Sequence, residues 1–284
     1  MPDRRLVLGA LFFLASAAGT AGAGERLTSA ELRQLAIATC VDKGEFDKNG
    51  ALNCRNARAY PAAPTCPVTF TATVFRGRFT ANEPQALVGY QSPCEPHANE
   101  FGGMALVRVE TNGLVLQRWL PGAVARDCVV VQQGTRDTAL CITSHMGQGQ
   151  LNEAFAPLEL DSSGSNKAWL SAGNVDGAYG DMVVSCSAED PDYHHFIGVR
   201  GDKSGTVTVE AAYVPPAARR PACEHARPPS AAPNGEDADL DEIPLPQGYV
   251  ALGSDSLRVA RIRFVPPNWQ PQVELTDRKP PAQD

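Results

Sequence analysis

The stretch CVVVQQGTRDTALC, running from Cys128 to Cys141, constrains the fold more than any other segment. Gly134-Thr135 reads as a two-residue turn, with glycine supplying the positive φ that opens a type II′ turn. That turn sets Gln133 opposite Arg136, and counting outward sets Cys128 opposite Cys141. The two cysteines then form a non-hydrogen-bonded pair, with a Cα separation of about 4.5 to 5.5 Å that a disulfide spans. A bridge across an antiparallel hairpin, Cys128 to Cys141, is the expectation.

Such a staple needs an oxidising compartment, and the N-terminus offers a route to one. MPDRRLVLGALFFLASAAGTAGAGE has two arginines, an apolar run from Leu6 to about Ala18, and small residues ending at Ala21-Gly22-Ala23. Residues 1–23 therefore read as a signal peptide cut before Gly24. Arg4-Arg5 leaves the general secretory and twin-arginine routes both open. No later apolar run reaches the roughly 20 residues of a membrane-spanning helix, so the mature chain is expected in the periplasm or outside the cell. The whole chain has 25 basic and 32 acidic residues; without Arg4, Arg5 and Asp3 these become 23 and 31, a net −8. An acidic surface with no basic, aromatic-interleaved stripe argues against a nucleic-acid partner.

Eight cysteines, at 40, 54, 66, 94, 128, 141, 186 and 223, allow on the order of a hundred pairings. Beyond Cys128–Cys141 the sequence does not choose among them. Cys94-Glu95-Pro96-His97 and Cys223-Glu224-His225 look alike, but an oxidised sulfur has no thiolate to offer a metal. They read as disulfide-anchored loops, and a bond between Cys94 and Cys223 is left open, as is the idea that Cys223 pins residues 215–247 to the body.

Residues 24–60 form an N-terminal segment with one helix, LTSAELRQLAIATCVDKG. Thr28 and Glu31 make a capping box, Leu32, Leu35, Ala36, Thr39 and Cys40 share a face, and Gly44 follows the end. Residues 65–278 alternate apolar and polar residues between Gly, Asn, Asp and Pro breaks, as at Asn112-Gly113, which predicts a mostly β, antiparallel body. Residues 215–247 interrupt it with prolines and segregated charge, and read as a mobile excursion, or a linker, before a final pair of strands. Residues 279–284 are a C-terminal tail. Three segments, from Ala86, Ala139 and Met182, each run strand, polar loop, phenylalanine (Phe101, Phe155, Phe196), strand, turn, strand, and a shorter fourth starts at Tyr249. Units of this length suggest a β-propeller-like repeat, with a β-sandwich as the alternative.

If equivalent loops open on one face, that face gathers His97, Glu100, His145, Glu153, Asp190, Asp192 and His194 as candidate binding residues. Imidazoles and carboxylates together suit a divalent metal or an acid–base pair, yet no spacing is diagnostic and no cofactor is implied. Adjacent His194 and His195 would point to opposite faces of a regular strand. The weaker motifs, a calcium-loop-like Asp47, Asn49 and Gly50 and the tripeptide Arg200-Gly201-Asp202, are read as turns. With no catalytic motif on the page, the expected function is an exported, disulfide-stabilised binding module for a protein or glycan partner. The alternative is a hydrolase using Glu100, Glu153 and Asp190, or a His-held metal.

Overall fold

The structure, a computed structural model, describes residues 25–48, 51–58, 67–92, 102–111, 113–122, 124–147, 150–158, 160, 168–174, 182–187, 193–225 and 248–281. The expected signal peptide, Cys66, Cys94, His97, Glu100, Asn112, Asp190, Asp192 and residues 226–247 lie outside them.

The described residues are mostly β, in antiparallel sheets, with two α-helices. The first sheet takes β1 (Glu25–Arg26), β2 (Glu45–Phe46), β3 (Leu52–Cys54), β4 (Val68–Gly77), β5 (Gln85–Gln91), β6 (Gly102–Glu110) and β7 (Gly113–Pro121), with α1 (Ser29–Thr39) between β1 and β2. The second is the meander β8 (Val124–Gln133), β9 (Arg136–Gly147), β10 (Gln150–Pro157) and β11 (Leu170–Asn174). Then come β12 (Met182–Ser185), β13 (Tyr193–Gly201), β14 (Val207–Tyr213), α2 (Pro216–Glu224), β15 (Tyr249–Leu252), β16 (Arg258–Val265) and β17 (Gln270–Leu275). The third sheet has the order β13-β14-β16-β17, while β12 pairs, among the described residues, with β15 alone.

Strand alternation tells how the sheets stack. In β8 and β9, Val129, Val131, Leu140 and Ile142 pack against Phe196, Val209, Ala211 and Ile262 of the third sheet. Their neighbours Cys128, Ala139 and Cys141 pack the other way, against Phe75, Leu87, Met104 and Leu106 of the first sheet. The β8–β9 pair is thus buried on both faces. The far face of the first sheet holds α1 through Leu32, Leu35 and Ala36. The far face of the third holds β12, β15 and α2 around Ala212, Val214, Val250 and Leu257. A Cβ added to Gly102 or Gly103 would collide with the carbonyls of Tyr90 and Leu120, so glycine is what lets β6 approach both neighbours.

The hairpin forms as the sequence predicts: Gly134 has φ +66°, Gln133 pairs with Arg136, and Cys128 pairs with Cys141 across 4.1 Å between Cα atoms. The Thr28–Glu31 capping box is present, but α1 stops at Thr39, because Cys40 leaves in an extended conformation to bond Cys54 and bridge Ala57.

Three expectations are corrected. The opening of the 215–247 segment is a helix, α2: Pro216 sits where a helix tolerates proline, and Ala218, Ala222 and the Cys186–Cys223 disulfide hold it on the core despite Pro221. Cys223 therefore bonds Cys186, not Cys94, and it does pin this segment to the body. Among the described residues three strands rather than two follow that segment, and β16 and β17 complete the sheet begun by β13 and β14, so the sequence units do not coincide with sheets.

Replacing Cys128 and Cys141 by alanine removes the constraint on a short loop and is expected to cost about 3 kcal/mol of stability, read as a lower midpoint in denaturant. Peptide mapping of the oxidised wild type should show these two cysteines joined.

Candidate functional site

Among the described residues strand β13 pairs only with β14, and its register slips twice, between Tyr193 and His195 and between Phe196 and Gly198. Each slip is a β-bulge, which bends the strand and re-aims side chains. On its free side, unpaired N–H and C=O groups would be buried against the second sheet at a cost of about 1–3 kcal/mol each. Three side chains of that sheet satisfy them. Glu153 Oε2 accepts from the Phe196 N–H at 2.6 Å, Asp127 Oδ2 accepts from the Val199 N–H at 3.0 Å, and an Arg126 Nη donates to the Phe196 carbonyl. The same Arg126 nitrogen lies 3.1 Å from Glu153 Oε1, whose side chain is only 5% exposed. Arg126 is itself the extra residue of a bulge, where the pairing of β8 with β9 jumps from Ala125 to Asp127.

The bulge at Tyr193–His195 brings both imidazoles into one place, with ring centroids 5.5 Å apart and edge to face. A regular strand would have sent them apart. His194 is buried, and the buried Nδ1 of His195 has no hydrogen-bond partner among the described residues. Burial, the neighbouring His194 and the Arg126 guanidinium together push His195 down to about 4, so its ring is neutral at physiological pH.

Beside this cluster, a cavity of about 420 Å³ is lined by Thr143, Asn152, Glu153, Ser171 and Tyr193, with Ala154, Ala172 and Gly173 leaving room between them. Nothing within 4 Å except the Asn152 side chain would meet a Cβ on Gly173. The cleft thus combines an amide, hydroxyls and one committed carboxylate over a floor of small residues.

Comparison with protein-family models, curated proteins and solved structures finds no match to this chain. Its site is therefore read from geometry alone.

Of the sequence-predicted residues, Glu153 reaches β13 at the Phe196 amide, two residues along the strand from His194, which stacks edge to face on His195. His145 lies in β9, paired with Asn152, and His194 in β13, so neither stands in the loop expected for it. Glu153 differs in role as well: it holds a strand edge. Among the described residues no three His, Cys, Asp or Glu side chains are grouped so as to hold a metal ion. Sequence reasoning missed Arg126, Asp127, Asn152 and Tyr193. One signal was present, since Asp127 shares the parity of buried Val129 and Val131, and Glu153 that of buried Phe155. A carboxylate on an inward-facing position needs a buried partner.

Unfolded, His195 takes a proton near 6.5; folded, only near 4. The unfolded chain binds the extra proton between those values, so stability is fully present above about 6.5 and falls as pH drops toward 4. Allowing for partial exposure, the loss is on the order of 2 kcal/mol. Thermal melts of the wild type should decline over this window, and those of His195→Gln should decline less.

Proposed function

We propose that the protein is an exported binding module that holds a hydroxyl-rich ligand, a neutral glycan segment, in the cleft lined by Asn152, Ser171, Thr143 and Tyr193. The observation that carries this reading is the composition of the cleft: amide and hydroxyl groups around small residues suit hydrogen bonding to sugar hydroxyls, and the rigid two-sheet contact beneath holds them in place. The disulfides Cys40–Cys54, Cys128–Cys141 and Cys186–Cys223 fit an oxidising compartment. Among the described residues no helix is long and apolar enough to cross a membrane. A signal peptide over residues 1–23 is part of this reading.

The architecture fits a propeller-like plan insofar as successive sheets stack face to face, as blades do; no closed ring is found among the described residues. The hydrolase alternative has less support. It needs a second carboxylate beside Glu153; Glu100 and Asp190 lie outside the described residues, and among the described residues Glu153 contacts Arg126 and the Phe196 amide.

Asn152 and Ser171 are both exposed, so alanine there leaves the fold intact. On an array of neutral oligosaccharides, the wild type should bind a subset, and Asn152→Ala with Ser171→Ala should weaken it about tenfold, the worth of one or two hydrogen bonds. Unchanged binding by the double variant would remove the cleft from this role.

A further inference from the structure

The third sheet has one face against the second sheet, and among the described residues its other face is covered by β12, β15 and α2 only around Ala212. Beyond that cover, strand register lines up a polar row: Arg200 pairs with Thr208, Thr208 with Arg263, and Arg263 with Gln272. Directly paired residues share a face, so Arg200 and Arg263 flank Thr208 at two strand spacings, roughly 10 Å. The next row along holds Glu210, Arg261 and Glu274, about 7 Å away.

Glu210 organises this surface. Its Oε1 accepts from Arg261 Nε at 3.0 Å and lies 3.4 Å from Arg200 Nη2, while Oε2 accepts from Arg278 Nη2 at 2.9 Å. The carboxylate is 13% exposed, but the three arginine side chains keep 59%, 37% and 49% of their surface for Arg200, Arg261 and Arg278. A guanidinium has five N–H donors, so each arginine is held in place by one contact and still presents a fork to solvent. Arg263 is exposed as well. The chain carries a net −7; residues 193–225 and 248–281 hold nine basic and six acidic side chains, and residues 226–247 between them one basic and five acidic. On the sheet face itself, Arg200, Arg261, Arg263 and Arg278 outnumber the carboxylates Glu210 and Glu274.

We propose that this face binds an extended polyanionic glycan, a chain carrying carboxylate or sulfate groups on a hydroxyl-rich backbone. Guanidinium forks take carboxylate and sulfate oxygens in pairs. The Thr208 hydroxyl and Gln272 amide, set in the same row, match sugar hydroxyls. An open sheet face suits an extended chain better than a compact ligand. A protein partner would seek apolar anchors, and on this face Val265, 38% exposed, lies at the margin.

The test measures binding of the full mature chain to immobilised alginate and heparin, with dextran as the uncharged control and poly-glutamate and duplex DNA as other polyanions. Retention on alginate or heparin above all three is expected at about 0.15 M salt, where screening acts within about 8 Å. Arg200→Gln with Arg263→Gln should melt like the wild type, bind at least tenfold more weakly, and lower the slope of log affinity on log salt by about two, one per charge removed. Equal binding by this double variant, retention no better than on dextran, or equal binding to poly-glutamate or DNA would overturn the proposal. The cleft is assayed with neutral oligosaccharides, so either reading fails without the other.

Discussion

The β8–β9 hairpin is buried on both faces, and the remaining layers depend on it. Odd-numbered Val129 and Val131 face the third sheet, and Cys128, opposite Cys141, faces the first. A strand pair covered on one side would leave the other to water; this one is a central layer on which two sheets are laid. Because interiors are close-packed, register errors in the hairpin would move both cores at once. The disulfide holds the pair at the point where the two faces meet opposite neighbours.

Stacking sheets leaves a problem at their edges, where backbone groups have no strand to pair with. At β13 the answer is side-chain chemistry. Glu153 and Asp127 take two N–H groups and Arg126 a carbonyl, while Arg126 and Glu153 lie close enough to offset one another. Two bulges turn the strand so that these contacts are made, and the same distortion places two imidazoles side by side. The cleft proposed for ligand binding borders this region, which fits the frequent association of bulges with functional sites.

Charge is distributed unevenly along the fold. A chain with net −7 carries its exposed arginine fan on the third sheet, held by one carboxylate. Surface ion pairs alone contribute little to stability, and this network, three cations around one mostly buried anion, leaves more positive charge than it neutralises. Its arrangement follows from strand register, since Glu210 and Arg261 are direct partners and Arg200 and Arg278 reach in from either side.

Local signals in the sequence are enough for the local elements. The Gly134-Thr135 turn determines the hairpin register and the Cys128–Cys141 bond, Thr28 and Glu31 determine the start of α1, and apolar alternation determines a mostly β body, because each depends on neighbours a few residues away. The chain also carries inward-facing acids at Asp127 and Glu153, whose parity shows they need partners without showing which. What only the tertiary structure decided is where distant strands meet. That β16 completes the sheet of β14, that α2 survives its prolines on a disulfide to Cys186, and that Glu153 holds the edge of β13 all depend on contacts 37 or more residues apart. Backbone bulges, which leave no mark in a hydrophobic pattern, determine which way Arg126, His194 and His195 point.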